Sequence, residues 1–154
     1  MTPSHDLATD SAADQASSST ERRLTILLYS DDVATRDAVR VAVGRRPGRD
    51  VEVTAWRECA TAPAVIEAVE SGDFDLVILD GEATPYGGLG LCRQLKNEIF
   101  ECPPVMVLTG RTQDGWLAAW SQADLVVPHP LDPIALAEAV AELGRTVGSF
   151  SPTA

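Results

Sequence analysis

The chain has 154 residues, of which 45% are hydrophobic, and its 12 Lys and Arg residues stand against 23 Asp and Glu residues, a formal net charge of -11. This length supports one core of ordinary size, so we expect a single domain. No run approaches the roughly 20 apolar residues of a membrane span and the N-terminus lacks a secretory signal, so we expect a soluble, cytoplasmic protein. The acidic charge argues against direct nucleic-acid binding, which depends on clustered Lys and Arg.

Both ends of the chain are polar. Residues 1–22 are dominated by Ser, Thr, Ala and Asp without hydrophobic periodicity, and residues 147–154 look similar. Such composition cannot offset the entropy of ordering, so mobile tails are predicted at both ends. The folded domain is therefore predicted over residues 23–146.

The three cysteines are Cys59, Cys92 and Cys102. They have no C-x-x-C spacing and lie in or beside apolar segments. This pattern favours reduced, partly buried thiols over a metal site or a disulfide framework.

Five short apolar runs predict strands. They are LTILLY at 24–29, VEVTAW at 51–56, FDLVIL at 74–79, PVMVLT at 104–109 and DLVV at 124–127. The runs that begin at 24, 74 and 104 are nearly continuous in apolar character, as in parallel strands covered on both faces. VEVTAW alternates apolar and polar residues and is predicted at an edge of the sheet.

Helical periods separate these runs. The predicted buried face of the first helix consists of Ala34, Ala38, Val41 and Ala42. That of the last helix consists of Leu136, Val140 and Leu143. Asp132 is the predicted N-cap of the last helix and Pro133 its first residue. Regular alternation of strands and helices predicts an α/β fold, a doubly wound parallel sheet with helices on both faces.

Polar residues follow four of the predicted strands. The strand ends carry Ser30, Asp31 and Asp32 after the first strand, Asp80 after the third, Thr109 at the end of the fourth, and Pro128, His129 and Pro130 after the fifth. Sites in such sheets form beyond the carboxyl ends of the strands, where the winding direction reverses. Carboxylates that converge there repel one another unless a proton or a cation joins them, and Mg²⁺ prefers such oxygen ligands.

This ordered set resembles the receiver domain of two-component response regulators over about residues 24–146. The resemblance implies a flavodoxin-like, five-stranded sheet of order 2-1-3-4-5. Gly88 would open the third helix and HPLDP would lead into the fifth. It also implies a site where Mg²⁺ is bound and an aspartate accepts a phosphoryl group.

The motifs YSDD, FDLVILD and VLTG carry the resemblance residue by residue. In this comparison Asp80 corresponds to the phosphoacceptor and Thr109 to the hydroxyl that contacts the phosphoryl group. Asp31 and Asp32 correspond to the acidic cluster that holds Mg²⁺, together with Asp80 and the backbone carbonyl of Glu82.

Several departures from the family pattern weaken the predicted site. Ser30 stands at the first acidic position, which lowers the expected affinity for Mg²⁺. His129, in VPHP, replaces the family's lysine, and Lys96 is the only lysine in the chain. An imidazole is shorter and is charged only when protonated, so His129 is either a partial substitute or a turn residue between two prolines. A cis bond to Pro130 would aim its ring into the site.

Two further departures concern how the domain would signal. Val126 stands where the family usually has a Tyr or Phe, and the loop TPYGG after Asp80 differs from the family's M-P-x-x-D-G. Trp116 and Trp120 are spaced i and i+4 on a short fourth helix, where they either pack onto the sheet or form a partner surface with Val126. Arg111 lies beside the predicted site, where it either pairs with an anion or is solvated.

The leading hypothesis is a stand-alone, atypical response regulator that is not an enzyme and acts by binding another protein, with phosphorylation of Asp80 weak or dispensable. The alternative is a Mg²⁺-dependent phosphoacceptor that serves as a phosphorelay shuttle. A sensor histidine kinase is a candidate partner in either case, and dimerisation is left open. A flavin-binding or hydrolytic protein of the same architecture is disfavoured, because SDDVATR places carboxylates where a helix would hold phosphate.

Overall fold

A computed structural model describes residues 21–110 and 115–150. Most of the predicted N-terminal tail, the end of the C-terminal tail and Arg111 lie outside the described residues. Within these ranges, no helix combines the length and the apolar character that crossing a membrane requires.

Strands and helices alternate through the described ranges. The strands are β1 (Arg22–Tyr29), β2 (Val51–Cys59), β3 (Leu76–Asp80), β4 (Val105–Thr109) and β5 (Leu125–Pro128). The helices are α1 (Val33–Val43), α2 (Ala62–Glu70), α3 (Gly88–Glu98), α4 (Gly115–Ser121) and α5 (Pro133–Phe150). All neighbouring strands pair in parallel, in the order β2-β1-β3-β4-β5. The predicted fold class and strand order are confirmed, and β2 lies at an edge as its alternation indicated.

The sheet separates two apolar layers because successive side chains of a strand point to opposite faces. Leu24, Ile26 and Leu28 of β1 pack on one face with residues of α1 and α5. Leu27 and Tyr29 pack on the other face with residues of α2 and α3. β3 and β4 are buried along their whole length. This explains why their sequences are continuously apolar up to the polar residue that ends each strand.

The rotation of α1 differs from the prediction. Val39 and Val43 face the core, whereas Val41 is 82% exposed. Two valines one turn apart bury more apolar surface than the alanines of the predicted stripe. Arg36 and Arg40 also hold this rotation, because their guanidinium groups both pair with Glu58 of β2, at 2.8 and 2.7 Å.

Helix α5 follows its prediction closely. Leu136, Val140 and Leu143 are buried, and Pro133 is the first helical residue. The Oδ1 atom of Asp132 accepts a hydrogen bond from the backbone N–H of Ile134 at 3.1 Å, which is the expected N-cap contact.

The ends of the folded elements extend past the predicted domain boundaries. β1 begins at Arg22, and α5 continues to Phe150. The predicted limits at residues 23 and 146 therefore fall inside these two elements.

The thiols have the predicted character. Cys59 and Cys92 are buried, Cys102 is half-buried, and all three are free. Burial raises the pKa of Cys92 to about 11. The thiolate of Cys92 is therefore scarce at neutral pH, which disfavours reaction of this group as a nucleophile.

Candidate functional site

Asp80 ends β3 at the carboxyl edge of the sheet, where its side chain is buried. The backbone around it is packed closely enough to require glycine. A Cβ atom at Gly81 would lie 2.5 Å from the carbonyl oxygen of Leu108, and one at Gly88 would lie 2.7 Å from that of Asp80. Gly88 opens α3, as expected. The helix therefore begins directly against the backbone of Asp80 and fixes the carboxylate at this edge.

Both carboxylate oxygens of Asp80 accept hydrogen bonds from the protein. The Ser30 hydroxyl donates to Oδ2 at 2.8 Å, and the backbone N–H of Glu82 donates to Oδ1 at 2.9 Å. Ser30 is fully buried at the end of β1. A neutral hydroxyl thus contacts the carboxylate at the position where the family pattern has a second acid.

The ring of His129 is directed at the same carboxylate. Its Nε2 atom lies 3.8 Å from Oδ1 of Asp80 and is buried without a hydrogen-bond partner among the described residues. The peptide bond to Pro130 is cis, as anticipated. The backbone N–H of His129 also donates to the carbonyl of Thr109 at 2.7 Å. The residue therefore both shapes the turn after β5 and presents its ring to Asp80.

Thr109 is the last residue of β4, and its side chain is buried. It pairs with Pro128 of β5, one residue before His129. The three predicted site residues Asp80, Thr109 and His129 thus come from adjacent strands and meet where these strands end, at the carboxyl side of the sheet.

The two aspartates after β1 are held elsewhere. The Asp31 carboxylate accepts hydrogen bonds from the backbone N–H and the hydroxyl of Thr84, at 3.1 and 3.0 Å, and these bonds lower its pKa. Asp32 is the N-cap of α1 and accepts bonds from the backbone N–H of Ala34 and the hydroxyl of Thr35, at 3.0 and 3.1 Å. Both carboxylates therefore stabilise local structure.

This arrangement does not fit a preformed Mg²⁺ site. Over residues 21–110 and 115–150, no three side chains of His, Cys, Asp or Glu are grouped as ligands of a metal ion. Asp31 and Asp32 have the contacts just described, and Ser30 contributes no charge. The predicted ligand set of Asp31, Asp32, Asp80 and the Glu82 carbonyl stays a prediction.

Some residues at the site were not predicted from the sequence. The hydroxyl of Tyr29 donates to the carbonyl of Tyr86 at 2.6 Å, which ties β1 to the loop after Asp80. Burial and the negative charges of Asp31 and Asp80 raise the pKa of Tyr29. Its place directly before the polar cluster was the available signal, but an aromatic residue that ends an apolar strand is common.

Two further charged groups flank the site. Arg36 donates from Nη1 to the carbonyl of Ser30 at 2.7 Å and so holds the loop after β1. The sequence predicted a role only for the backbone carbonyl of Glu82. The carboxylate of Glu82 lies against Gly110, and a Cβ atom added to Gly110 would be 2.6 Å from Oε2 of Glu82. Neither position follows from spacing, because both depend on contacts between distant segments.

The two tryptophans of α4 are exposed. Trp116 is 70% exposed and Trp120 is 44% exposed, so the alternative in which both pack onto the sheet is wrong. The Arg93 guanidinium lies 4.7 Å from the centre of the Trp120 ring, and its Nη1 donates to the Trp120 carbonyl at 2.6 Å. Val126 is half-buried and borders a shallow groove of about 290 Å³ between β5 and α5. We call Trp116, Trp120 and Val126 the tryptophan surface.

Comparison with individual known proteins finds relatives of this chain, although a scan against models of protein families finds no match. The chain is 52% identical over 122 residues to an uncharacterized response regulatory protein of Mycobacterium tuberculosis, an alignment that covers 79% of this chain and 92% of that protein. The corresponding protein of a second strain of that species gives the same figures.

Solved structures share the fold at lower identity. A CheY-like response regulator receiver domain protein from Methanospirillum hungatei has a TM-score of 0.61 at 23% identity, over 84% of this chain and 98% of that one. The receiver domain of AraT, a response regulator from Geobacillus stearothermophilus, has a TM-score of 0.64 at 22% identity, over 82% and 96%. With the strand order and the relationship to the mycobacterial proteins, this similarity shows that the chain belongs to the response regulators and folds as their receiver domain.

Proposed function

We propose that this receiver domain acts by binding another protein, and that phosphorylation of Asp80 is weak or dispensable. The main support is the hydrogen bonding of Asp80, whose two oxygens accept from the Ser30 hydroxyl and the Glu82 backbone N–H. The carboxylate is thus satisfied by neutral donors of the chain itself.

Phosphoryl transfer needs more than a nucleophile. The transferred group spreads negative charge over its oxygens, and catalysis rests largely on positioning and on positive charge that neutralises it. Around Asp80 the family's acidic position is Ser30 and its lysine is His129, whose Nε2 lies 3.8 Å away. The sole lysine, Lys96, pairs with Asp124 at 2.6 Å. The site is therefore poor in fixed positive charge, which favours slow or absent transfer.

The tryptophan surface supports the binding half of the proposal. Large aromatic side chains dominate binding energy in interfaces. Trp120 is already ordered by Arg93, which reduces the entropy lost on binding. The groove that Val126 borders is also lined by Ala135, Ala139, Glu138 and Glu142. A partner that presents apolar anchors flanked by Lys or Arg would match this surface.

Two experiments test the two claims, weak phosphorylation and partner binding, separately. The protein is incubated with Mg²⁺ and a small phosphodonor, and its intact mass is followed over time, with Asp80→Asn as the control. We expect little or slow labelling. Pull-downs from native extract should recover the same partner with wild type and Asp80→Asn and lose it with Trp116→Ala. Rapid, stoichiometric labelling that disappears in Asp80→Asn would refute the claim that phosphorylation is dispensable.

A second candidate is the phosphoacceptor that serves as a phosphorelay shuttle, with a sensor histidine kinase as donor. It is favoured by the convergence of Asp80 and Thr109, both buried at the same edge of the sheet. This reading requires that a kinase label Asp80 and that a phosphoryl mimic change the fluorescence of Trp116 and Trp120. The flavin alternative has less support, because the carboxylate of Asp32 already caps α1, where a phosphate would bind.

A further inference from the structure

A second surface lies on the opposite edge of the sheet from the tryptophan surface. It is an open groove of about 650 Å³ between α1 and β2. Its lining combines two cationic side chains and one acidic side chain with small or apolar residues: Arg40, Arg45, Asp37, Val41, Gly44, Val53 and Trp56. We call it the α1–β2 groove. Val41, the valine that the rotation of α1 leaves exposed, lies in this groove.

The α1–β2 groove lies in the least acidic part of an acidic protein. Residues 21–58, which include the carboxylates that pair with these arginines, contain eight Arg against seven Asp and Glu, whereas the rest of the chain contains four Lys and Arg against sixteen Asp and Glu. This asymmetry favours an acidic occupant, since opposite charges steer and orient association.

The arginines of the groove retain exposed donors. The side chain of Arg45 is 82% exposed although it pairs with Glu52 at 3.0 Å, and that of Arg40 is 46% exposed although it pairs with Glu58. Exposed ion pairs contribute only about 0 to 1 kcal/mol, so a further carboxylate can share or exchange these donors at little cost. Arg40 also lies 5.9 Å from the centre of the Trp56 ring, so cation and apolar surface are contiguous.

The chain itself supplies an acidic segment directly before Glu21 in the sequence. Residues 1–20 contain Asp6, Asp10 and Asp14 but no Lys or Arg. Glu21, the residue that follows this segment, pairs with Arg46 at 3.2 Å, and Arg46 is the sequence neighbour of Arg45 in the groove. Twenty residues span up to about 65 Å when extended, so the segment reaches the whole groove.

We propose that residues 1–20 dock in the α1–β2 groove of the same chain. The aspartates contact Arg40 and Arg45, and Leu7 packs against Val41 and Trp56. Tethering converts a weak contact into an intramolecular one with an effective concentration of about millimolar for short flexible connections, so modest affinity suffices. This inference is independent of the chemistry at Asp80.

The test uses the full chain with a nitroxide at Ala12→Cys in a Cys102→Ser background. Cys59 and Cys92 are buried and remain unlabelled. In NMR spectra the label should broaden the amide signals of Val41 and Arg45 and the indole signal of Trp56. The exposed Phe100, on the loop after α3, should remain sharp.

Matched variants identify the cause of any broadening. Arg45→Gln should abolish most of it, whereas Arg57→Gln removes the same charge from an exposed β2 residue that does not line the groove and should leave it intact. Asn at positions 6, 10 and 14, or high salt, should also remove it, because salt screens exposed charges.

Two results would overturn the proposal. Uniform broadening over the surface would mean that the segment has no preferred site. Broadening of the groove that falls on dilution or on mixing with unlabelled protein would place the segment, or a second copy, across a dimer instead.

Discussion

Replacing Ser30 by aspartate tests whether the serine weakens the binding of Mg²⁺ beside Asp80. The substitution removes the hydrogen bond that Ser30 donates to Asp80 at 2.8 Å and puts a second carboxylate beside the first. Losing a buried hydrogen bond to a charged group costs about 1.5 to 3 kcal/mol. Two like charges about 4 Å apart repel by about 4 kcal/mol at an effective dielectric constant of 20. The repulsion disappears when one of the two carboxylates takes up a proton, so protonation limits its cost.

The expected result is a variant that depends on Mg²⁺ for stability. Without Mg²⁺, Ser30→Asp should lower the free energy of unfolding by about 1.5 to 3 kcal/mol through the lost hydrogen bond, and by up to about 4 kcal/mol more where proton uptake does not relieve the repulsion. Mg²⁺ at a hundredfold excess over its dissociation constant restores about 2.7 kcal/mol. The wild type should gain much less from Mg²⁺ over the same concentration range.

Urea unfolding at fixed pH, with and without Mg²⁺, measures these differences. Ser30→Asn is the matched control, since asparagine has nearly the same size as aspartate but adds no charge. If wild type gains as much stability from Mg²⁺ as Ser30→Asp does, then Ser30 does not weaken the metal site and the reasoning fails.

Three other substitutions test separate parts of the structure. Trp116→Ala should leave stability nearly unchanged but weaken partner capture more than tenfold, because interface hot spots contribute about 2 kcal/mol or more. Phe100→Ala is the control, since Phe100 is 89% exposed. Equal loss of capture with both variants would contradict a specific surface. Asp32→Ala should lower the free energy of unfolding by about 1 kcal/mol through loss of the N-cap of α1, and a neutral result would show that the cap is dispensable. Because the pKa of Asp31 is lowered in the folded state, its contribution is present above its unfolded pKa of about 3.9 and is lost as the pH falls through the folded value. Thr84→Val removes one of the responsible bonds and should reduce the loss of stability with acid, and an unchanged pH profile would refute this assignment.

The predictable part of the fold rests on strong local patterns. β3 and β4 are apolar along their length because both faces of the sheet are covered. The alternating residues of VEVTAW correctly indicated that β2 lies at the edge, although its burial does not alternate, since Val51, Glu52 and Val53 are all buried. The N-cap Asp132 and the following proline mark the start of α5 without any tertiary information. The face of α1 was not predictable in the same way. Its alanines and valines offer two stripes of similar character, and contacts of Arg36 and Arg40 with Glu58, distant in sequence, select one.

The site divides in the same manner. The sequence by itself determined which residues follow the parallel strands, and the resemblance to receiver domains implied the strand order that makes the third, fourth and fifth strands neighbours. Asp80, Thr109 and His129 were therefore expected at the carboxyl end of the sheet, since parallel strands bring their carboxyl ends together. Only the tertiary structure decided where their neighbours point. It joins Ser30 to Asp80, turns Asp31 to Thr84, leaves Asp32 as a cap and exposes the tryptophans. Side-chain direction depends on which hydrogen-bond donors and acceptors meet from segments about 50 residues apart, such as the Ser30 hydroxyl and the Asp80 carboxylate. The spacing of the strands in the sequence does not specify these contacts.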